Sequence, residues 1–274
     1  MRMVEPIVDA DWVRNNRDRV ILADTRCYLD GRSTREAYDA GHLPGAVFVD
    51  LDAHLAAPAS AAEGRHPLPV PEVFAAGLSA AGIGDGATVV AYDDEGGVMA
   101  ARLVWLLRVL GESAALLDGP PEAVAPLVTE AVIPEPAAFT PRPWPADRLA
   151  SIDETARFAE TGAAPVIDAR PAERFRGETE PIDARAGHIP GARSVPCREH
   201  LVDGRLRPVD ALQARFTDAG LSPDGEYVAY CGSGVTACHN LIVAEHAGFT
   251  GGRLYPGSWS QYAADGTRPV ATGD

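Results

Sequence analysis

The chain offers little material for a metal site, an export route or a membrane anchor. It has only four cysteines, Cys27, Cys197, Cys231 and Cys238, in 274 residues. None forms a C-x-x-C pair, and the adjacent Cys238 and His239 fit no zinc spacing, so no bound metal is expected. No apolar run approaches the ~20 residues of a membrane span. The first residues, MRMVEPIVDADW, lack the apolar region of a secretion signal, so a cytoplasmic protein with reduced thiols is expected. Positive charge is scarce as well. Lys plus Arg number 24 against 39 Asp plus Glu, for a formal charge of −15. Such a surface repels nucleic acid and anionic membrane, so neither is an expected partner. Any anion site has to be built locally.

What is present is an ordinary globular composition, 46% hydrophobic and 23% charged, in a length that suits one large domain or two ordinary ones. An internal repeat decides between them. AGHLPGA at 40–46 returns as AGHIPGA at 186–192. Upstream, ILADTR at 21–26 corresponds to VIDAR at 166–170. Downstream, AGIGDGATVVAYD at 81–93 matches AGLSPDGEYVAYC at 219–231. Three matches in one order mean a duplicated domain. The expected organisation is an N-terminal domain over 1–133, a Pro-rich linker over 134–146 and a C-terminal domain over 147–274. The five prolines of PEPAAFTPRPWP at 134–145 sustain neither helix nor central strand, so an extended linker is predicted.

Each half reads alike. A buried strand (ILAD; VID) precedes a short polar helix (STREAYDA; PAERFRG), the GHxPGA turn and a short strand (AVFVD; ARSVP). Then come a helix (PEVFAAGLSAAG; DALQARFTDAG), a buried strand (ATVVAY; EYVAY), a loop and a long helix (VMAARLVWLLRVLG; VTACHNLIVAEHAG). Strands alternating with helices predict an α/β fold with a mainly parallel sheet in each half. The GHxPGA turns read as structural, with the His side chain bonded to nearby backbone.

Cys231 is the candidate for chemistry. It ends the strand YVAY and opens Gly232-Ser233-Gly234-Val235-Thr236-Ala237, which leads into a helix. Ligands of open α/β sheets bind beyond the carboxyl ends of the strands. A Gly-containing loop entering a helix aims several N–H groups at one point, and such a cradle favours thiolate over thiol. The plain alternative is a buried strand-end cysteine. At the equivalent place the first half has Asp93, followed by Asp94 and Glu95, which oppose an anion. Phosphate-ester hydrolysis of the tyrosine-phosphatase kind wants an Arg six residues after the Cys, and this chain has Ala237 there. Sulfur transfer through a cysteine persulfide remains.

The paired GHxPGA motifs, Asp93 in place of a first cysteine, the loop CGSGVTA and GSW at 257–259 together resemble a tandem-domain rhodanese of the thiosulfate/3-mercaptopyruvate sulfurtransferase family, over almost the whole chain. The resemblance implies two rhodanese-like domains, an inactive first and a catalytic second, and a ping-pong reaction through a Cys231 persulfide with no metal or organic cofactor. It implies a small-molecule sulfur donor and a cyanide or thiol acceptor, a protein thiol included. Gly232-Ser233-Gly234 is similar to the mercaptopyruvate type, in which Ser, His and Asp form a relay. Ser233 matches the Ser, His66 of Arg65-His66-Pro67-Leu68-Pro69 the His, contributed by the N-terminal domain, and Asp52 the Asp, with Asp50 as the alternative. Arg174 matches one of two donor-holding arginines, and Gly232, Gly234, Val235, Thr236 and Ala237 line the donor's cradle. The second arginine falls where this chain has Ile182, a departure that leaves two expectations: Arg176 or Arg185 substitutes, or the donor site is looser. The family also leaves open a thiosulfate:cyanide sulfurtransferase, or a non-enzymatic persulfide carrier or redox sensor. Cys238 reads as core packing. Cys27 and Cys197 read as strand-end thiols, buried or exposed enough for a redox disulfide. Trp259, Tyr255 and Tyr262 read as packing for the last segment beside the active-site mouth.

Overall fold

The structure is a computed structural model and describes residues 3–28 and 30–274. The described residues divide into two compact units. One takes those up to Ala57, Pro69–Trp144 and Asp203–Leu206; the other takes Pro58–Leu68, Pro145–Val202 and Arg207–Asp274. The two halves therefore do not part cleanly at the proline-rich segment, because each unit receives a short stretch from the other half.

The first unit is built on a five-stranded sheet. From edge to edge it runs Ile7–Val8, Ser113–Leu117, Thr88–Tyr92, Ile21–Asp24 and Val47–Phe48, every neighbour parallel. Its central strands are continuous apolar runs because both faces are covered. Leu22, Val90, Tyr92, Ala115 and Leu117 share one core cluster. Local chemistry sets the helix starts. Asp9 caps Ala10–Asn15, and Ser33 caps Thr34–Ala40 by accepting from the Glu36 amide. The segment 134–144 is extended, as its prolines predict, but it is a strap on this unit rather than a bridge. Ala137 N–H donates to Ser79 O at 3.0 Å, buried Phe139 meets Phe74 edge-on at 5.7 Å, and Trp144 Nε1 donates to Pro69 O at 2.8 Å.

The second unit repeats the plan with a four-stranded parallel sheet in the order Gly252–Leu254, Tyr227–Tyr230, Val166–Asp168, Arg193–Ser194. Helix Ile152–Thr161, capped by Ser151, adds Phe158 and Ala159 to a core with Val228, Tyr230, Tyr255 and Trp259. Both GHxPGA turns are structural. His42 Nδ1 bonds to Tyr38 O at 2.9 Å and His188 Nδ1 to Phe175 O at 2.8 Å, each ring stacked on that same aromatic side chain. The Asp and Arg after each first strand form a buried brace for that turn. Arg26 Nη2 reaches Asp24 and Gly41 O, and Arg170 Nη2 reaches Asp168 and Gly187 O, all at 2.6–2.7 Å. Among the described residues no helix is long and apolar enough to cross a membrane.

Candidate active site

Strand Tyr227–Tyr230 delivers Cys231 to the carboxyl edge of the second sheet, and helix Thr236–His246 leaves the loop that follows. The thiol is buried, with the residue 2% exposed. Its Sγ accepts the Gly234 amide at 3.0 Å and the Ser233 amide at 3.4 Å, an arrangement suited to a sulfur carrying negative charge. The GSW segment holds this loop from behind. Ser258 Oγ accepts the Cys231 amide at 3.2 Å, while the Trp259 and Ser260 amides donate to Cys231 O and Gly232 O at 2.9 Å. Gly234 is required twice over. Its φ is +79°, and a Cβ there would stand 2.6 Å from Pro256 O. Val235 and Ala237 are buried and pack the start of the helix. Trp259 is fully buried, under the Arg170 guanidinium at 4.6 Å, so it is core and not the rim of a mouth.

Ser233 Oγ and His66 Nδ1 share a 2.8 Å hydrogen bond. The expectation that the N-terminal domain contributes His66 needs correcting, because Pro58–Leu68 folds with the second unit. That segment is tied down by a Ser60–Gly64 turn and by Arg65 N–H donating to Ser260 Oγ at 3.0 Å. Asp52 belongs to the first unit, on the helical turn Leu51–Leu55 that Asp50 caps. Burial, and then the charge of Asp50, push the Asp52 carboxyl above its ordinary pKa.

The arginines rearrange the expectation most. Both proposed substitutes for the second donor arginine have partners of their own. Arg176 pairs with Glu178, and Arg185 spends its guanidinium on the carbonyls of Ala263, Arg268, Tyr262 and Asp265. A second guanidinium beside the loop is that of Arg65, next to His66. A Cβ on Gly232 would lie 2.9 Å from Arg65 Nη2 and 3.6 Å from Arg174 Nη1, so two guanidiniums stand over the loop. Asp183 joins them, accepting from Arg65 Nη1 at 2.7 Å and from Arg174 Nη2 at 3.0 Å. All 24 basic residues of the chain are arginine, whose planar fork suits carboxylates held this way. Ile182 is 45% exposed and contributes only its amide, to Glu180.

The other thiols are poor nucleophiles. Burial, and then the neighbouring Cys231, push Cys197 up to about 12. Burial with Asp52, Asp50, Glu95 and Asp93 around it does the same to Cys27. Cys238 donates to Gly234 O at 3.3 Å from inside its helix.

A family model described as Rhodanese-like domain matches residues 9–123 and again 151–265. The chain belongs to the rhodanese family. A Pseudomonas aeruginosa protein named, provisionally, a 3-mercaptopyruvate sulfurtransferase is 43% identical over 265 residues, 93% of each chain. SseB of Mycobacterium tuberculosis, named provisionally a thiosulfate sulfurtransferase, is 40% identical over 263 residues, 93% of this chain and 92% of its own. The crystal structure of SseA from Escherichia coli, described as a 3-mercaptopyruvate sulfotransferase, superposes with a TM-score of 0.81 at 31% identity, covering 94% of this chain and 100% of that one. Of the two rhodanese domains, the second holds the cysteine loop and the first holds Asp93 in the same place.

Proposed function

We propose that the protein is a sulfurtransferase that takes sulfur from 3-mercaptopyruvate, holds it as a persulfide on Cys231 and passes it to a thiophilic acceptor, cyanide or a small or protein thiol. The Cys231 thiolate attacks the donor's sulfur. The carbon–sulfur bond breaks with its electron pair on carbon, and the enolate of pyruvate leaves. The Ser233–His66 pair delivers the proton that the enolate needs. The acceptor then attacks the outer sulfur of the persulfide and returns Cys231 as thiolate. The Gly234 and Ser233 amides support both sulfur anions, and Arg174 and Arg65 hold the donor's carboxylate. The first domain carries no catalysis, and the site of action is the cytoplasm.

The observation that carries this reading is the 2.8 Å Ser233–His66 bond in the loop whose amides face the Cys231 sulfur. Thiosulfate leaves as sulfite and needs no proton at carbon, so a relay serves mercaptopyruvate specifically. The thiosulfate reading is favoured by a different observation, the two guanidiniums over Gly232, which supply the positive charge that the loop itself lacks. Side-by-side kcat/KM values for the two donors with cyanide test the choice; a higher value for thiosulfate overturns it. Repeated turnover with excess donor separates an enzyme from a carrier, which loads once.

A further inference from the structure

Behind the two guanidiniums runs a chain of alternating charge. Asp168 holds Arg170 at 2.6 Å, Arg170 holds Glu180 at 3.3 Å, Glu180 holds Arg174 at 2.7 Å, and Asp183 joins Arg174 at 3.0 Å to Arg65 at 2.7 Å. The carboxylate side chains are 0%, 3% and 4% exposed for Asp168, Glu180 and Asp183, so water screens them little. Three guanidiniums meet three carboxylates, and the network is neutral as a whole.

Asp183 is the member that faces the site. It takes Nη1 of Arg65 and Nη2 of Arg174, while Arg65 Nη2 is the nitrogen nearest the loop, 2.9 Å from a Cβ built on Gly232, and Arg174 presents Nη1 at 3.6 Å and Nη2 at 3.8 Å. The carboxylate thus holds one terminal nitrogen of each guanidinium, leaves Arg65 Nη2 and Arg174 Nη1 to a ligand, and cancels charge beside them. From this geometry we infer that Asp183 is a specificity-determining residue. It sets the electrical balance of the donor clamp so that a monoanionic donor is accepted and a dianionic one is disfavoured. The inference rests on the sulfurtransfer reading and adds to it the charge class of the donor. A unit charge at a fixed place acts twice as strongly on a dianion as on a monoanion. Mercaptopyruvate enters with one carboxylate charge, and thiosulfate enters with two negative charges. Neutralising Asp183 therefore favours thiosulfate over mercaptopyruvate, whereas loss of a merely structural contact lowers both together.

The test compares wild type with Asp183→Asn, which keeps the shape and one acceptor oxygen. The ratio of kcat/KM for thiosulfate to that for mercaptopyruvate should rise about three- to tenfold, the size of one partly screened charge acting at close range. An independent readout needs no turnover: the rate of Cys231 alkylation by iodoacetate, an anion, divided by the rate with neutral iodoacetamide. That ratio should rise about two- to threefold in Asp183→Asn and fall by a similar factor in Arg65→Gln. Arg65→Gln carries the test if Asp183→Asn does not fold. Ratios unmoved in folded variants, or moved the opposite way, overturn the assignment. A wild-type protein that takes sulfur from neither donor defeats the sulfurtransfer reading instead, and the alkylation ratio still decides the charge role of Asp183.

Discussion

The loops after strands Thr88–Tyr92 and Tyr227–Tyr230 are copies of one cradle filled in two ways. In the second unit the cradle offers the Ser233 and Gly234 amides to the Cys231 sulfur. In the first unit Asp93 fills it from within. Its carboxylate accepts four amides, those of Glu95, Gly97, Met99 and Ala100, at 2.7–2.8 Å. The sequence suggested repulsion by Asp93, Asp94 and Glu95, but the structure gives a more specific cause. The amides that would bind an anion already have one, tethered and buried. Burial pushes the Asp93 carboxyl above its ordinary range while those amides pull it back. The cradle is thus a general anion holder, and the residue at its strand end decides whether it serves folding or chemistry.

Breaking the second loop should have the largest effect. Cys231→Ser keeps the hydrogen-bonding geometry but cannot form a persulfide, so turnover should drop by about 10⁴-fold or more. Intact-mass analysis after donor treatment should show one added sulfur on wild type and none on the variant. Sulfur mapped to Cys27, Cys197 or Cys238 would break the comparison. Asp93→Cys added to Cys231→Ser should restore nothing, since the first loop still carries Asp94 and Glu95 and has no counterpart of the Ser233–His66 pair described for it. Near-wild-type turnover by that double variant would show that the strand-end residue alone separates the loops.

A smaller effect separates donors within the second loop. Ser233→Ala should lower kcat/KM for mercaptopyruvate about 10- to 100-fold, a general acid–base contribution, and change thiosulfate turnover less than threefold. Equal losses for both donors would assign Ser233 to loop structure and leave His66 without a relay. In the first loop the corresponding cut costs stability rather than rate. Asp93→Ala strands four amides and should cost about 2–4 kcal/mol, lowering the first unit's Tm in a thermal melt and leaving kcat unchanged.

Much of this was legible in the residues because it is local. Strand, loop, glycine and helix follow one another around Cys231, and the GHxPGA turns with their His–backbone bonds need only neighbours. The Ile152–Thr161 helix carries a local start signal of its own, Ser151 with Glu154, a capping signature. What could not be read is assembled from distant parts. His66 meets Ser233 across 167 positions, and Arg65 meets Asp183 across 118. The resemblance points to position 182 for a second cation, whereas Arg65 comes to the loop because 58–68 folds with the second unit, which nothing local in the sequence says. The two-residue strands Arg193–Ser194 and Ile7–Val8 are likewise set by their parallel partners, not by their own pattern.

The braces of the two GHxPGA turns extend the comparison to pH. In the first unit the brace is Arg26 with Asp24 and Gly41 O. In the second, Arg170 makes the same contacts and also reaches Glu180, which passes the network on to Arg174. Burial alone would raise the Glu180 carboxyl, but Arg174 and the Asp183 and Ile182 amides outweigh it and hold the group below its ordinary value of 4.5. A carboxylate so held favours folding above its unfolded pKa, and that contribution fades as pH falls through the lower folded value. Glu180→Gln should therefore melt below wild type near pH 7, by the about 1–3 kcal/mol of a hydrogen bond to a charged group left unmade. The gap should narrow steadily as the buffer is taken below pH 4.5. Among the described residues Asp24 and Arg26 have no such acid attached, so a melt of Arg26→Gln against wild type should show no narrowing that depends on Glu180. A wild-type advantage that stays constant from pH 7 down to the acid transition would mean that Glu180 braces Arg174 by shape alone, and that the second unit's longer network is no more electrical than the first unit's short one.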